Sequence, residues 1–294
     1  VMDQAEQLRN IIKKQSPLNK SARVITVTSG KGGVGKSNLS VNLAIQMSRL
    51  GKRVIILDAD FGLANIEVML GIRPRYNLYD LMFKEKGLQE IITKGPENIG
   101  FISGGSGIQE LANISRSQIL YLTQKLYELD QIADVIIIDT GAGITDSVLE
   151  FVTASTEVLL IVTPEPTSIT DAYALLKALN KKGDFSPDHT IIKMVANRVD
   201  SYEEAKQLYA KLNMVVEKFL TVKLGFLGGI PQDVSVSKAV MQQKPYSVIY
   251  PNAPATRAVF ELANMLCFNT LPKTQSVSGI AGLFSSLLRF RLKK

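Results

Sequence analysis

The chain has 294 residues, 46% of them hydrophobic, enough for a full core in one large domain with tails, and no linker-like stretch separates its central apolar runs. Its net charge is +7, but Arg289, Arg291, Lys293 and Lys294 fall in the last sixteen residues with no acid among them; the +3 left for the remainder argues against a strongly basic nucleic-acid binder, and no specific nucleic-acid partner is expected. A single cysteine, Cys267, allows no intrachain disulfide, and without an eighteen-residue apolar run or a signal-peptide pattern the chain is expected to stay in the reducing cytoplasm.

In chain order, Asp3–Lys14 spaces Ala5, Leu8, Ile11 and Ile12 on one narrow helical stripe, with Asp3 placed to cap it, and residues 15–21 read as a joint. This segment is either an arm that folds on a partner or a strap on its own domain. The apolar run Val24–Thr28 then enters Gly30-Lys31-Gly32-Gly33-Val34-Gly35-Lys36-Ser37, and Asn38 opens a helix. Strand, glycine-rich turn and helix satisfy G-x-x-x-x-G-K-[ST]. The backbone N–H groups of such a turn converge on phosphate oxygens, Lys36 reaches the outer phosphates, and Ser37 ligates Mg²⁺. The helix N-terminus adds partial positive charge.

The strand Val54–Leu57 ends in Asp58-Ala59-Asp60, which places two carboxylates at the C-terminal end of a parallel strand, where α/β folds bind ligands; capping of the following helix, which carries Asn65, is the alternative. Residues 71–133 hold short helices around 78–82 and 88–92, a strand over 99–103 and a long helix from about 115 to 131, with no evident chemistry. Val135–Ile138 is a central strand ending in Asp139, the Walker B arrangement, so Asp139 should hold Mg²⁺. After it, the Gly141-Ala142-Gly143 turn suits a switch segment in which a backbone N–H approaches the γ-phosphate. Val158–Thr163 is a further buried strand, followed by Pro164-Glu165-Pro166-Thr167-Ser168 and a helix through Leu179. His189 has no companion for metal or acid–base work. Ile191–Arg198 ends with Asn197, whose amide matches the edge of adenine, and the absence of N-K-x-D favours ATP over GTP.

A helix from 255 to 268 closes the domain, a polar tether spans 270–278, and residues 279–294 form an amphipathic helix. Ile280, Leu283, Phe284, Leu287 and Leu288 share one face, with Ser285, Ser286, Arg289 and Lys293 opposite. An apolar stripe flanked by bases describes a helix lying in an anionic membrane surface, each base adding about 1 kcal/mol; docking in a groove of its own domain is the other reading. The expected organisation is an arm over 1–22, a nucleotide-binding domain over 23–269, the tether, and the helix.

The second lysine of K-G-G-x-G-K-S, Lys31, resembles the deviant Walker A motif of the MinD/ParA ATPases. That resemblance implies a single doubly wound, mostly parallel sheet flanked by helices, ATP/ADP and Mg²⁺ as ligands, and a homodimer formed with ATP in which Lys31 reaches the partner's nucleotide as an arginine finger would. It also implies that Asp60 positions the attacking water, with Asp58 supporting it or the magnesium shell. Asn197, Pro231 and Asp233 would contact the base. The lone cysteine separates the chain from iron–sulfur members of the group, which need at least two ligand cysteines. Asp3-Gln4-Ala5-x-x-Leu8-Arg9 resembles the N-terminal motif of the FlhG (YlxH/FleN) family, the MinD-like ATPases of flagellar number control, where it stimulates the SRP-type GTPase FlhF. Gln4, Leu8 and Arg9 are then the partner-binding candidates, Gln4 orienting water, and flagellar basal-body proteins are further expected partners. The expected behaviour is reversible attachment to the inner face of the cell membrane. A MinD-like division regulator, a ParA-like DNA-partitioning ATPase and a nucleotide-binding scaffold without turnover remain alternatives.

Overall fold

The computed structural model describes residues 21–60, 65–84, 86–105, 116–268 and 279–291, with side chains omitted at 116–120, 123 and 288–291. The motif residues Gln4, Leu8 and Arg9, the tether and Lys293 lie outside the described residues.

In chain order the elements are β1 (Arg23–Ser29), α1 (Lys36–Arg49), β2 (Val54–Ala59), α2 (Asn65–Leu70), α3 (Leu78–Phe83), α4 (Leu88–Ile91), β3 (Thr93–Lys94), β4 (Gly100–Ile102), α5 (Arg116–Ile132), β5 (Val135–Ala142) and α6 (Asp146–Ala154). There follow β6 (Glu157–Val162), α7 (Pro166–Asn180), β7 (Ile191–Val199), α8 (Tyr202–Phe219), β8 (Leu224–Pro231), α9 (Val234–Met241), α10 (Tyr246–Ile249), α11 (Pro254–Phe268) and α12 (Ile280–Arg291). Eight strands make one sheet in the order β3-β4-β2-β5-β1-β6-β7-β8. Every pair is parallel except β3 with β4. Unbroken apolar runs explain this: β2 and β6 are buried at every position, because helices cover both faces of the sheet.

Alternate residues of each strand feed different cores. Ile25, Val27 and Ile137 face the layer of α1, α2 and α11, whereas Val24, Ile136 and Ile138 face α3, α4 and α5. A third core joins β6 and β7 to α6, α7 and α8. The short edge strand β3 and the helices α6 and α8 were not among the elements read from sequence. For α8 the signal was available, since Ala205, Leu208, Leu212 and Val216 are buried at helical spacing.

The C-terminal helix lies on its own domain. Helix α12 packs against α5 and α6, with Ile280, Leu283, Phe284 and Leu287 buried in the same core as Leu122, Leu126 and Leu129. Of the two readings open from sequence, docking is the one seen here, because this stripe completes an apolar surface between α5 and α6. Ser285, expected on the polar face, is buried and donates its hydroxyl to the Ala281 carbonyl at 2.8 Å. Among the described residues no helix is long and apolar enough to cross a membrane.

Candidate functional site

The Gly30–Gly35 turn leaves the C-terminal end of β1 in the middle of the sheet and delivers the chain to the N-terminus of α1. Gly33 and Gly35 adopt φ of 77° and 98°, the left-handed region that side chains disfavour. Space also requires glycine: a Cβ at Gly30 would strike the backbone of Asp171 and Ala172, and one at Gly35 would strike the Asn197 amide. Helix α1 has no side-chain cap and no acid in its first turn, so its N-terminal charge is left for a ligand anion. Lys36 and Ser37 are nearly buried behind the turn.

Asp58 and Asp139 are register neighbours on β2 and β5. Asp139 is fully buried and accepts from the Ser40 hydroxyl at 2.8 Å through Oδ1, while Oδ2 has no protein partner. Burial raises its pKa, against the pull of Lys36 and of the hydroxyls of Ser37 and Ser40. Burial likewise pushes Asp58 up to about 8, the neighbouring Asp139 charge adding to it and the Asp60 N–H, donating at 3.0 Å, opposing it. Two buried carboxylates side by side, one with an orphaned oxygen beside the Ser37 hydroxyl, form a hard-oxygen donor set that fits Mg²⁺. No group of three or more His, Cys, Asp or Glu side chains forms a metal cage among the described residues.

Asp60 follows β2 and accepts from the Asn65 amide at 3.4 Å. A Cβ on Gly141 would lie 3.5 Å from the Asp60 carboxylate, so Asp60 and the C-terminal end of β5 share one wall. The Gly143 N–H donates to the Ser29 carbonyl at 2.9 Å, tying the end of β5 to β1.

Lys31 stands on the exposed rim of the loop. Its Nζ donates to Glu165 Oε2 at 2.8 Å and to Thr167 Oγ1 at 2.7 Å, and the lysine holds the Glu165 carboxyl below its usual range. Sequence reading noted the Pro164–Ser168 turn but gave these two residues no part in the site; 134 positions separate Lys31 from Glu165.

Beside the loop a cleft of about 550 Å³ is lined by Gly35, Asn38, Asn197, Pro231, Asp233 and Tyr246 among others. Asn197 donates Nδ2 to the Val34 carbonyl at 2.7 Å, which leaves Oδ1 to meet a base amino group. Arg198, held at φ 59°, donates to the Gly33 carbonyl at 2.7 Å, a second clamp on the loop that sequence reading missed. Asp233 serves the wall: burial raises its pKa, but the N–H groups of Ala255 and Ser235 and the Ser235 hydroxyl outweigh that and hold it low. Its two oxygens accept from Ser235 N at 2.8 Å and Ala255 N at 3.0 Å.

The family model described as ParA, NUBPL iron-transfer P-loop NTPase, matches residues 20–267. The chain is 43% identical to the antiactivator FleN of Pseudomonas aeruginosa over 85% of its own length and 88% of that protein's. It is 32% identical to the flagellum site-determining protein YlxH of Helicobacter pylori over 98% and 99%. Among solved structures, the MinC:MinD cell division complex of Aquifex aeolicus aligns with a TM-score of 0.65 at 26% identity, covering 86% of this chain and 99% of that one. MinD of Pyrococcus horikoshii, solved with Mg-ADP, shares the fold with a TM-score of 0.63 at 22% identity, over 87% and 100%. A loop that requires glycine at Gly30, Gly33 and Gly35, a buried Walker B carboxylate and a second P-loop lysine thus sit in a sheet of MinD type, and the chain belongs to the ParA family of P-loop NTPases.

Proposed function

We propose that this protein is an ATP-hydrolysing dimerisation switch that regulates flagellar number or placement; it matches YlxH, named as a flagellum site-determining protein, along nearly its whole length. The observation that carries the switch is Lys31. A buried Lys36 already faces Asp139 inside the site, whereas Lys31 reaches outward from the same loop, 35% exposed, on partners that a second protomer can displace. In the pair it stabilises charge developing on the partner's phosphoryl group. Ser37, Asp139 and Asp58 would hold Mg²⁺, which would neutralise phosphate charge. Asp60 orients the attacking water, and Asn197 meets the base.

Release of α12 presents Ile280, Leu283, Phe284 and Leu287 to the inner face of the cell membrane, and a pair of such helices gains avidity that one lacks. The segment containing Gln4, Leu8 and Arg9 stimulates the SRP-type GTPase FlhF. Basal-body proteins complete the partner set, and the protein is cytoplasmic, reversibly membrane-bound. The decisive experiment is Asp60→Ala in gel filtration with ATP and Mg²⁺. A stable dimer is expected, because pairing persists when hydrolysis stops. A variant that stays monomeric with saturating ATP overturns the switch.

A further inference from the structure

Asp130, near the C-terminal end of α5, takes no part in the nucleotide site, yet it is a carboxylate only 2% exposed. Buried carboxylates survive where backbone donors replace water. The donors here come from opposite ends of the chain. Ile280 donates its N–H to Oδ1 at 2.8 Å and Ala281 donates to Oδ2 at 3.3 Å, so Asp130 caps the first turn of α12 from 150 positions away. The Ala22 N–H, just before β1, lies near enough to the same carboxylate to lower its pKa. Burial pushes this group up to about 6, and those three N–H groups pull it back down.

The local sequence complements this arrangement. The residue before α12 is Gly279, which has no side chain to cap the helix itself, and a Cβ there would fall on the Asp130 carboxylate. Ala22 is buried in the same core as Ile280, Leu283 and Phe284, so the start of β1 and the start of α12 share packing as well as an acceptor.

We propose that Asp130 is a clasp joining the root of the N-terminal segment to the root of the C-terminal helix, so that undocking α12 also loosens the chain at Ala22. This rests on the reading above, in which those two ends are the segments that meet partner and membrane. The clasp adds that the two ends are released together. When α12 leaves, water reaches Asp130 and competes for the carboxylate that Ala22 had shared, and the apolar cover over Ala22 goes with the helix.

The test uses the full chain and hydrogen–deuterium exchange in peptides covering Ala22 and Ile280–Leu287. Gly279→Ala, whose new Cβ meets Asp130, and Asp130→Ala should each raise exchange at both places by about tenfold or more, the loss expected when buried donors lose their acceptor. Unchanged exchange in β5 and the P-loop helix shows that the domain stays folded. A double variant separates a clasp from general loosening: once Asp130→Ala has removed the obstruction, Gly279→Ala should add nothing further. Faster exchange at α12 with Ala22 unchanged, or fully additive effects, overturns the proposal. Vesicle binding of the same variants reads the membrane role separately: released helices that ignore anionic vesicles count against the proposed function and leave the clasp standing.

Discussion

Phe284→Ala tests how firmly the C-terminal helix is held. Phe284 is fully buried and meets Phe151 edge-to-face, with ring centroids 6.1 Å apart, in the core that also holds Leu122, Leu126 and Leu129. Truncating a buried phenylalanine costs about 3–5 kcal/mol. Because α12 follows the ATPase domain and packs on its outer layer, that cost should appear as undocking rather than as global unfolding. At 1.4 kcal/mol per decade, the lower figure corresponds to an undocked population about a hundredfold larger. Amide exchange over Ile280–Leu287 should rise by that factor while β5 keeps its protection. The same ring belongs to the stripe proposed to enter lipid, so the variant should be released yet bind anionic vesicles no better than the parent. Protection within about threefold of the parent, or a loss of protection spread evenly over the sheet, would refute the docked, separable helix.

Gly30→Ala drives a Cβ into the backbone of Asp171 and Ala172, so α7 must back away from the loop; ATP affinity measured by calorimetry should fall by about tenfold or more, and parent-like affinity would show that the loop tolerates the side chain. Glu165→Gln weakens the cis hold on Lys31, so sedimentation in a non-hydrolysable ATP analogue should find pairing at lower protein concentration; pairing that needs more protein would contradict the trans role of this lysine. The docking of α12 should also depend on pH through Asp130. Its carboxyl sits at about 6 when docked against an ordinary 3.8. The docked form therefore holds a proton more tightly: docking is firmest below the ordinary value and weakens as pH rises through about 6. A displacement of about two pH units bounds the gain at about 3 kcal/mol. Corrected for intrinsic exchange, protection of α12 should be higher at pH 5 than at pH 7.5, and Asp130→Asn should flatten the profile; an unchanged parent profile would refute the assignment.

What sequence spacing determined was local chemistry. Gly30–Ser37, Asp58-Ala59-Asp60 and Asp139 each sit at the end of an apolar run, and a parallel sheet brings strand ends together whatever lies between them in the chain. The same spacing made α12 amphipathic, because a stripe is a property of consecutive residues. Which surface that stripe covers is not. It depends on α5 and α6 leaving an apolar surface at the right place, and only the assembled domain shows that Ile280 and Phe284 fill it. Lys31 meeting Glu165, Arg198 clamping Gly33, the Gly143 N–H turning to Ser29 and Asp130 capping a helix 150 positions away are likewise tertiary decisions. They join side chains and backbone groups across long stretches of chain, and periodicity carries no information about such meetings.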